Sequence, residues 1–388
     1  MEPTTAGREV PFEVSAQVAD ALERTVEEVR AAEIDPLAGP AVDGIATVGI
    51  WRVRGADWSA VVKVLRHVVH GGLSVWRSED DPAHPFHWRR EADAFADGLL
   101  GSLPGDLRAP ACYGVVPGPD GTLAIWMEDV AGCEGSTWAL PRYRQAAEHL
   151  GQVQGHLARE HLAGEPVLDR PWMSRGWLRT YVDRRAARSA ADADPTDPRV
   201  WSPPLVRRLV PADRVPAFQA LWAARHRLLD VVDGLPRTLC QLDFHPRNLF
   251  DVAGRTVVID WAFAGVGALG EDLGNLVVDA VTDFHLPPSK LPELFETLVA
   301  GYADGLAAAG WSGSDGPAEP AEVRRMVAAG AAAKYGWLAP AIPAVVAQGR
   351  TTLNGRPIEE AAPLWVACGD FLVELADLAV RGGPLDRP

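Results

Sequence analysis

The chain has little cysteine: four residues in 388, Cys112, Cys133, Cys240 and Cys368, far apart and with no Cys-x-x-Cys pair. That spacing excludes a disulfide framework or a cysteine-held zinc site and points to a reducing interior. A surplus of basic charge is also missing. Lys and Arg number 37 against 52 Asp and Glu, for a net charge of −15. This balance rules out broad nucleic-acid or anionic-membrane binding. Acidic charge serves solubility first, and it is also compatible with a cationic substrate. No apolar run is long enough to span a membrane. The nearest, VAAGAAAKYGWLAPAIPAVVA (327–347), is interrupted by Lys334, Pro340 and Pro343 and reads as a buried helix and its exit. The opening MEPTTAGREV lacks the basic-then-apolar layout of a secretory leader, so a soluble cytoplasmic protein is expected. Internal repeats and low-complexity tracts are absent as well.

What is present is ordinary in bulk, at 47% hydrophobic and 23% charged residues. Fourteen tryptophans are many, and composition does not explain them. Trp172, Trp177, Trp201, Trp222 and Trp337 lie mainly in helix-like segments and are expected in the core, with sugar stacking as the other role open to them. The length suggests two domains or lobes. SAQVADALERTVEEVRAAEI has a Ser start, apolar residues at helical spacing and a charged opposite face, which predicts a helix over about 15–34. IATVGIWRV and WSAVVKVLR, parted by RGAD, predict a hairpin. YGVV and TLAIWMED around PGPDG predict a second, with the helix FHWRREADAFADGLLGSL between them. After VAGCEGS the texture becomes helical, apart from two short strand-like runs near 240–260. The expected fold class is α+β. A small antiparallel-sheet lobe with one key helix would cover 1–130, and a larger, mainly helical lobe 131–388.

Those two runs carry the chemistry. CQLDFHPRNLF (240–250) packs an Asp, a His, an Arg and an Asn into six positions, and VVIDW (257–261) follows, with Asp260 seventeen residues after Asp243. Phosphoryl transfer needs a carboxylate beside the attacking hydroxyl, and hard oxygen ligands to hold magnesium against the phosphates. Asp243, Asn248 and Asp260 supply those groups in chain order. A phosphate-handling lysine is then expected upstream, and Lys63 stands in the apolar strand SAVVKVLR. Its plain reading is a stem laid on the sheet with its amine in water. In company with the downstream triplet, the phosphate role is preferred. Glu91, in WRREADAFADGLL, is the expected counter-charge. A phosphate cradle falls to GPAVDGIATVGIW (39–51), where Gly44 and Thr47 are the candidates, although no G-x-G-x-x-G is present. The base slot falls to IWMEDVAG, through the carbonyl of Glu128 and the amide of Val130, with Met127 packing nearby.

With QLDFHPRN, VVIDW and GALGEDLGNL (267–276), the chain resembles the aminoglycoside phosphotransferase and choline-kinase-like family of the protein-kinase-like fold. That family typically carries HGDLHPGN, then a strand ending IDW or IDF, then GDPxxDLA. The resemblance covers about 35–280 by motif. It implies that Asp243 is the catalytic base or hydroxyl-orienting residue, that Asn248 and Asp260 are magnesium ligands, and that Lys63 holds the α- and β-phosphates with Glu91 as its partner. Three positions depart from the pattern: Gln241 stands for His, Leu242 for Gly, and Arg247 for the Gly before Asn. None removes a group the chemistry needs. Arg247 either stabilises transferring charge or pairs with Asp251 or another acid. His245 is expected to brace the loop by bonding its backbone, and Asp272 to cap or brace the loop after the magnesium strand. The segment 66–88 would either cover the nucleotide as a lid or pack on the small lobe.

The expected activity is transfer of a γ-phosphoryl group from ATP or GTP, with Mg2+, to a hydroxyl of a small molecule. The expected acceptor class is amino-bearing, such as an aminoglycoside, another antibiotic or a metabolite. The alternative is a pseudokinase-like module that binds nucleotide or ligand without turnover.

Overall fold

The computed structural model describes residues 12–38, 46–67, 78–313, 316–317 and 319–380. The chain divides into two compact units, one formed by Met1–Ser102 with Ala109–Ala131, the other by Leu103–Arg108 with Gly132–Pro388.

The first unit is a five-stranded sheet with short helices. Its elements are α1 (Ala16–Ala21), α2 (Val26–Arg30), β1 (Glu33–Ala38), β2 (Thr47–Arg54), β3 (Ser59–Leu65) and α3 (Arg90–Asp97). The chain then leaves the unit for β4 (Leu107–Arg108) and returns with β5 (Cys112–Pro117) and β6 (Leu123–Glu128). Strand order is β1-β2-β3-β6-β5, and every pairing is antiparallel. Alternation along β3 sends Val62 and Val64 to one face, where they are fully buried with Val53, Ala124 and Trp126 against Phe12, Val18 and Val29. Trp126 fixes this layer, because its indole N–H donates to the Glu13 carbonyl at 3.1 Å while Phe12 meets its ring edge-on. Lys63 necessarily points to the opposite face.

The single helix predicted over 15–34 is not what forms. Glu23 takes a left-handed φ of 57°, and Thr25 with Glu28 makes a complete capping box. A capping box satisfies the free amides of a new helix start, so the chain begins again at Val26 instead of continuing. Ile34 belongs to β1, paired with Val53. The predicted helix around 86–103 is also shorter, since Gly98 at φ 86° ends α3.

The second unit is mostly helical. It contains β7 (Cys133–Glu134), α4 (Leu140–Leu162), β8 (Ser174–Arg175), α5 (Trp177–Asp192), α6 (Pro204–Leu209), α7 (Val215–Ala223), α8 (Arg225–Asp233) and β9 (Arg237–Cys240). Next come β10 (Leu249–Val252), β11 (Arg255–Val258), β12 (Gly265–Ala268), α9 (Glu271–Thr282), α10 (Leu291–Ala308), α11 (Pro320–Tyr335), α12 (Ile342–Ala347) and α13 (Ile358–Val380). Helices α4 and α10 approach backbone to backbone. A Cβ at Gly305 would lie 2.0 Å from the Glu148 carbonyl oxygen, and one at Gly151 would lie 2.6 Å from that of Tyr302. Only glycine permits that spacing. Two small sheets, β4-β11-β10-β7 and β8-β12-β9, sit beside this helix pair and carry the polar loops. Among the described residues no helix is long and apolar enough to cross a membrane.

Candidate active site

Topology alone brings the two polar loops together. Cys240 of β9 pairs with Gly265 of β12, and Leu249 of β10 pairs with Val258 of β11, both antiparallel. Loop 241–248 runs from the end of β9 to the start of β10, and loop 259–264 from the end of β11 to the start of β12. Both therefore emerge at the same end of the small sheets. A bond from the Ile259 amide to the Asn248 carbonyl, 2.9 Å, joins them edge to edge.

Gln241 makes the second link. It is buried, and its Nε2 donates to the carbonyls of Ile259 at 3.1 Å and Asp260 at 2.5 Å, while its Oε1 accepts the Asp243 amide at 2.8 Å. The residue standing in the family's His position thus spans Asp243 and Asp260. Asp260 itself adopts a left-handed φ of 56°, a costly conformation for a non-glycine residue, and these two bonds help hold it.

The Asp243 carboxylate lies 3.5 Å from His245 Nε2 and 3.3 Å from Asn248 Nδ2. Burial pushes its pKa up, but the His245 bond and charge, the Lys334 charge and the Asn248 bond outweigh burial and leave it below the ordinary value. The pair works reciprocally on His245. Burial alone would lower the imidazole pKa, yet the Asp243 bond and charge, with Asp279 and Asp283, raise it. The His245 ring thus faces Asp243 instead of bonding loop backbone, and its buried Nδ1 has no hydrogen-bond partner among the described residues. Asn248 also donates Nδ2 to the Asp243 carbonyl at 3.0 Å. With its nitrogen turned to two oxygens of Asp243, its Oδ1 is the end left for another ligand.

Asp272, in the first turn of α9, braces a different loop from the one expected. Its Oδ1 accepts the Leu242 amide at 2.8 Å, and its Oδ2 accepts the Gln241 amide and Gln154 Nε2, each at 2.9 Å. Those bonds hold the loop before the 257–261 segment. Glu271, the neighbour of Asp272, instead accepts the amide of Ala268, at the end of β12, at 3.0 Å. Burial drives the Asp272 pKa up to about 7 against the downward pull of the two amides. Arg247 pairs with Asp283 at 2.9 Å and is largely exposed, while Asp251 pairs with Arg142 at 3.0 Å.

In the first unit, Lys63 Nζ is 2.6 Å from Glu91 Oε2 on α3, and both side chains are almost fully buried. Met127 and Glu128 close β6. The Glu128 amide donates to the Ala111 carbonyl at 2.8 Å, and its Oε2 accepts the Ala111 amide at 3.0 Å. Val130 follows, half-buried and outside regular structure. Thr47 opens β2 opposite Leu65, and Gly44 lies outside the described residues. The 66–88 segment is described only in part. Its later residues fold around buried Arg90, which donates to the carbonyls of Pro82, His84 and Pro85.

Sequence reasoning passed over two residues of this site. Gln154, on α4, is fully buried and ties Asp272 to the Tyr302 hydroxyl. Lys334, on α11, is buried too, and its Nζ donates to the Leu242 carbonyl at 3.0 Å. The only signal of the latter was a lone lysine in an alanine-rich run.

The family model for the phosphotransferase enzyme family (APH) matches residues 51–315. The chain belongs to that family. As a member of the phosphotransferase enzyme family it shares its fold with choline kinase from Cryptosporidium parvum, at 11% identity and a TM-score of 0.54 over 91% of this chain and 92% of that one. At that identity the likeness shows the protein-kinase-like fold alone. Two further solved structures are similar over comparable lengths. One is the Plasmodium vivax ethanolamine kinase, with 12% identity, 90% and 86% coverage and TM-score 0.49. The other is a putative aminoglycoside phosphotransferase from Ralstonia eutropha, with 11% identity, 91% and 94% coverage and TM-score 0.45. No curated protein sequence matches this family member.

Proposed function

We propose that this phosphotransferase-family chain moves the γ-phosphoryl group of ATP or GTP onto a hydroxyl of a small molecule, with a divalent cation, Mg2+, held by Asn248 and Asp260. The observation that carries the proposal is the double link of Gln241 and Ile259, which places the Asp243, Asn248 and Asp260 loops side by side. Among the described residues no cluster of three His, Cys, Asp or Glu side chains could hold a metal. An Asn oxygen with one carboxylate is a sparser set, and it suits magnesium, which keeps waters and takes phosphate oxygens beside one or two protein ligands. When bound, that ion would neutralise charge on the transferring phosphates.

The chain's own residues do the rest by position. Asp243 is held as a carboxylate by His245 and Asn248, so it can orient the acceptor hydroxyl and accept its proton. Lys63 is kept in place by Glu91 and supplies fixed positive charge for the nucleotide phosphates. The net charge of −15 makes amino-bearing acceptors the first class to test, aminoglycosides among them.

The test is ADP release in the presence of Mg2+ against a panel of hydroxylated amines, amino sugars and plain sugars, with Asp243→Ala as control. Acceptor-dependent turnover that the variant lowers by a factor of about 100 or more supports the proposal. Failure of every acceptor in the panel to stimulate turnover, or full activity in Asp243→Ala, overturns it.

A further inference from the structure

Lys334 is 4% exposed, and its ammonium lies 4.6 Å from the ring centre of Trp177, 5.4 Å from that of Tyr335 and 5.6 Å from that of Tyr181. A buried ammonium is costly unless it is compensated. Here burial still holds the ammonium pKa below its ordinary value, against several attractions that oppose it. Three ring faces attract the cation, the Leu242 carbonyl accepts a hydrogen bond from it at 3.0 Å, and the charges of Asp279, Asp243, Glu271 and Asp272 all act on it. Nothing in the packing of α11 asks for a lysine. Its neighbours Ala331, Ala332, Ala333 and Tyr335 are all buried.

The bond to Leu242 matters because of where that residue stands. Leu242 adopts a left-handed φ of 68°, strained for a side chain with a Cβ, and immediately precedes Asp243. Its N–H is held by Asp272, and its carbonyl by Lys334. That carbonyl shares one peptide plane with the Asp243 N–H, which donates to Gln241 at 2.8 Å. Lys334 and Gln241 therefore grip the two sides of the peptide on which Asp243 hangs.

We infer that Lys334 is a positioning residue: from α11 it sets the orientation of the 242–243 peptide and so aims the Asp243 carboxylate, without touching either substrate. The inference rests on the reading of Asp243 as the residue that handles the acceptor hydroxyl. Glu271 and Asp272 come from α9, as does Asp279, and the aromatic rings come from α5 and α11. The constellation thus joins three separate helices around one loop.

The experiment compares wild type with Lys334→Met and Lys334→Gln by steady-state kinetics and by amide hydrogen exchange. For folded Lys334→Met the expected result is a kcat lower by about 10- to 100-fold, with KM for nucleotide and acceptor within about threefold. Lys334→Gln, which keeps a donor for the Leu242 carbonyl, recovers part of that loss. Exchange in a peptide spanning 240–250 accelerates about tenfold or more, while exchange in α4 and α10 is unchanged. Unchanged kcat, or a loss confined to KM, overturns the inference. So does unchanged protection of 240–250, and so does failure of both variants to fold, which would make the lysine purely structural. Absence of turnover in wild type would sink the phosphotransfer reading instead, and the exchange comparison would still decide whether Lys334 holds the loop.

Discussion

The Ile259 amide donates to the Asn248 carbonyl at 2.9 Å. Eleven positions separate the two residues in the chain, and the β10–β11 hairpin folds between them. That bond, with the Gln241 bridge beside it, turns two separate loops into one rigid edge.

The first prediction concerns Gln241. Gln241→Leu leaves the part-buried Asp243 amide and the Ile259 and Asp260 carbonyls without this partner. Unsatisfied buried groups cost about 1–3 kcal/mol each, so the variant should unfold at lower urea concentration and turn over more slowly than its stability loss explains. Gln241→His, which restores the family's usual residue, is expected to keep most activity. Full stability in the leucine variant would show that the bridge contributes nothing.

A second prediction follows from the buried Lys63–Glu91 pair. Lys63→Met takes the ammonium away from a buried carboxylate, and Glu91→Leu takes the carboxylate away from a buried ammonium, each at a cost of about 3–5 kcal/mol. The double variant removes both charges and should be more stable than either single one, and under the proposed function it should bind nucleotide more weakly. Denaturant titration of the four proteins closes the cycle, and simple additivity would refute the coupling.

Proton linkage gives a third. His149 is buried against Thr256, and burial, followed by the Arg142 charge, holds its pKa below the ordinary 6.5. Unfolded His149 takes a proton near 6.5 while the folded residue still refuses it. Its contribution to stability is therefore present above 6.5 and lost as pH falls through 6.5 towards the folded pKa. Buried Asp272, raised to about 7, acts in the opposite sense over a similar range. A variant comparison separates the two. Between about pH 7.5 and about pH 5.5, Tm of wild type should fall further than, or rise less than, that of His149→Gln. Parallel curves would contradict the assignment.

The fourth prediction tests the helix crossing. Gly305→Ala forces a methyl to 2.0 Å from the Glu148 carbonyl, whereas Gly101→Ala meets nothing within 4 Å. The first should destabilise by about 1–3 kcal/mol or more, and the second by less than about 0.5 kcal/mol. Thermal melts of the pair give the answer.

Much of the site was legible from local pattern. Asp243, Asn248 and Asp260 stand in short polar stretches whose residue types suit phosphoryl chemistry, and Lys63 interrupts a strand whose alternation is clear. The N-terminal helix was misread because periodicity over 15–34 is satisfied equally by one helix or by two. The Thr25 capping box decides between them. Asp272 was assigned to the wrong loop, since sequence proximity favours the loop it follows and not one about thirty residues earlier.

By itself the sequence determined the alternation that turns Lys63 away from the Val62 and Val64 face, the paired glycines that let α4 and α10 touch, and the identity of the groups offered for chemistry. These are properties of neighbours along the chain. Tertiary structure alone decided that Gln241 would span Asp243 and Asp260, that Asp272 would hold the loop before the 257–261 segment, and that Lys334 would reach Leu242 from 92 residues away. Buried donors and acceptors must find partners wherever the fold supplies them, and no local pattern encodes which distant element that will be.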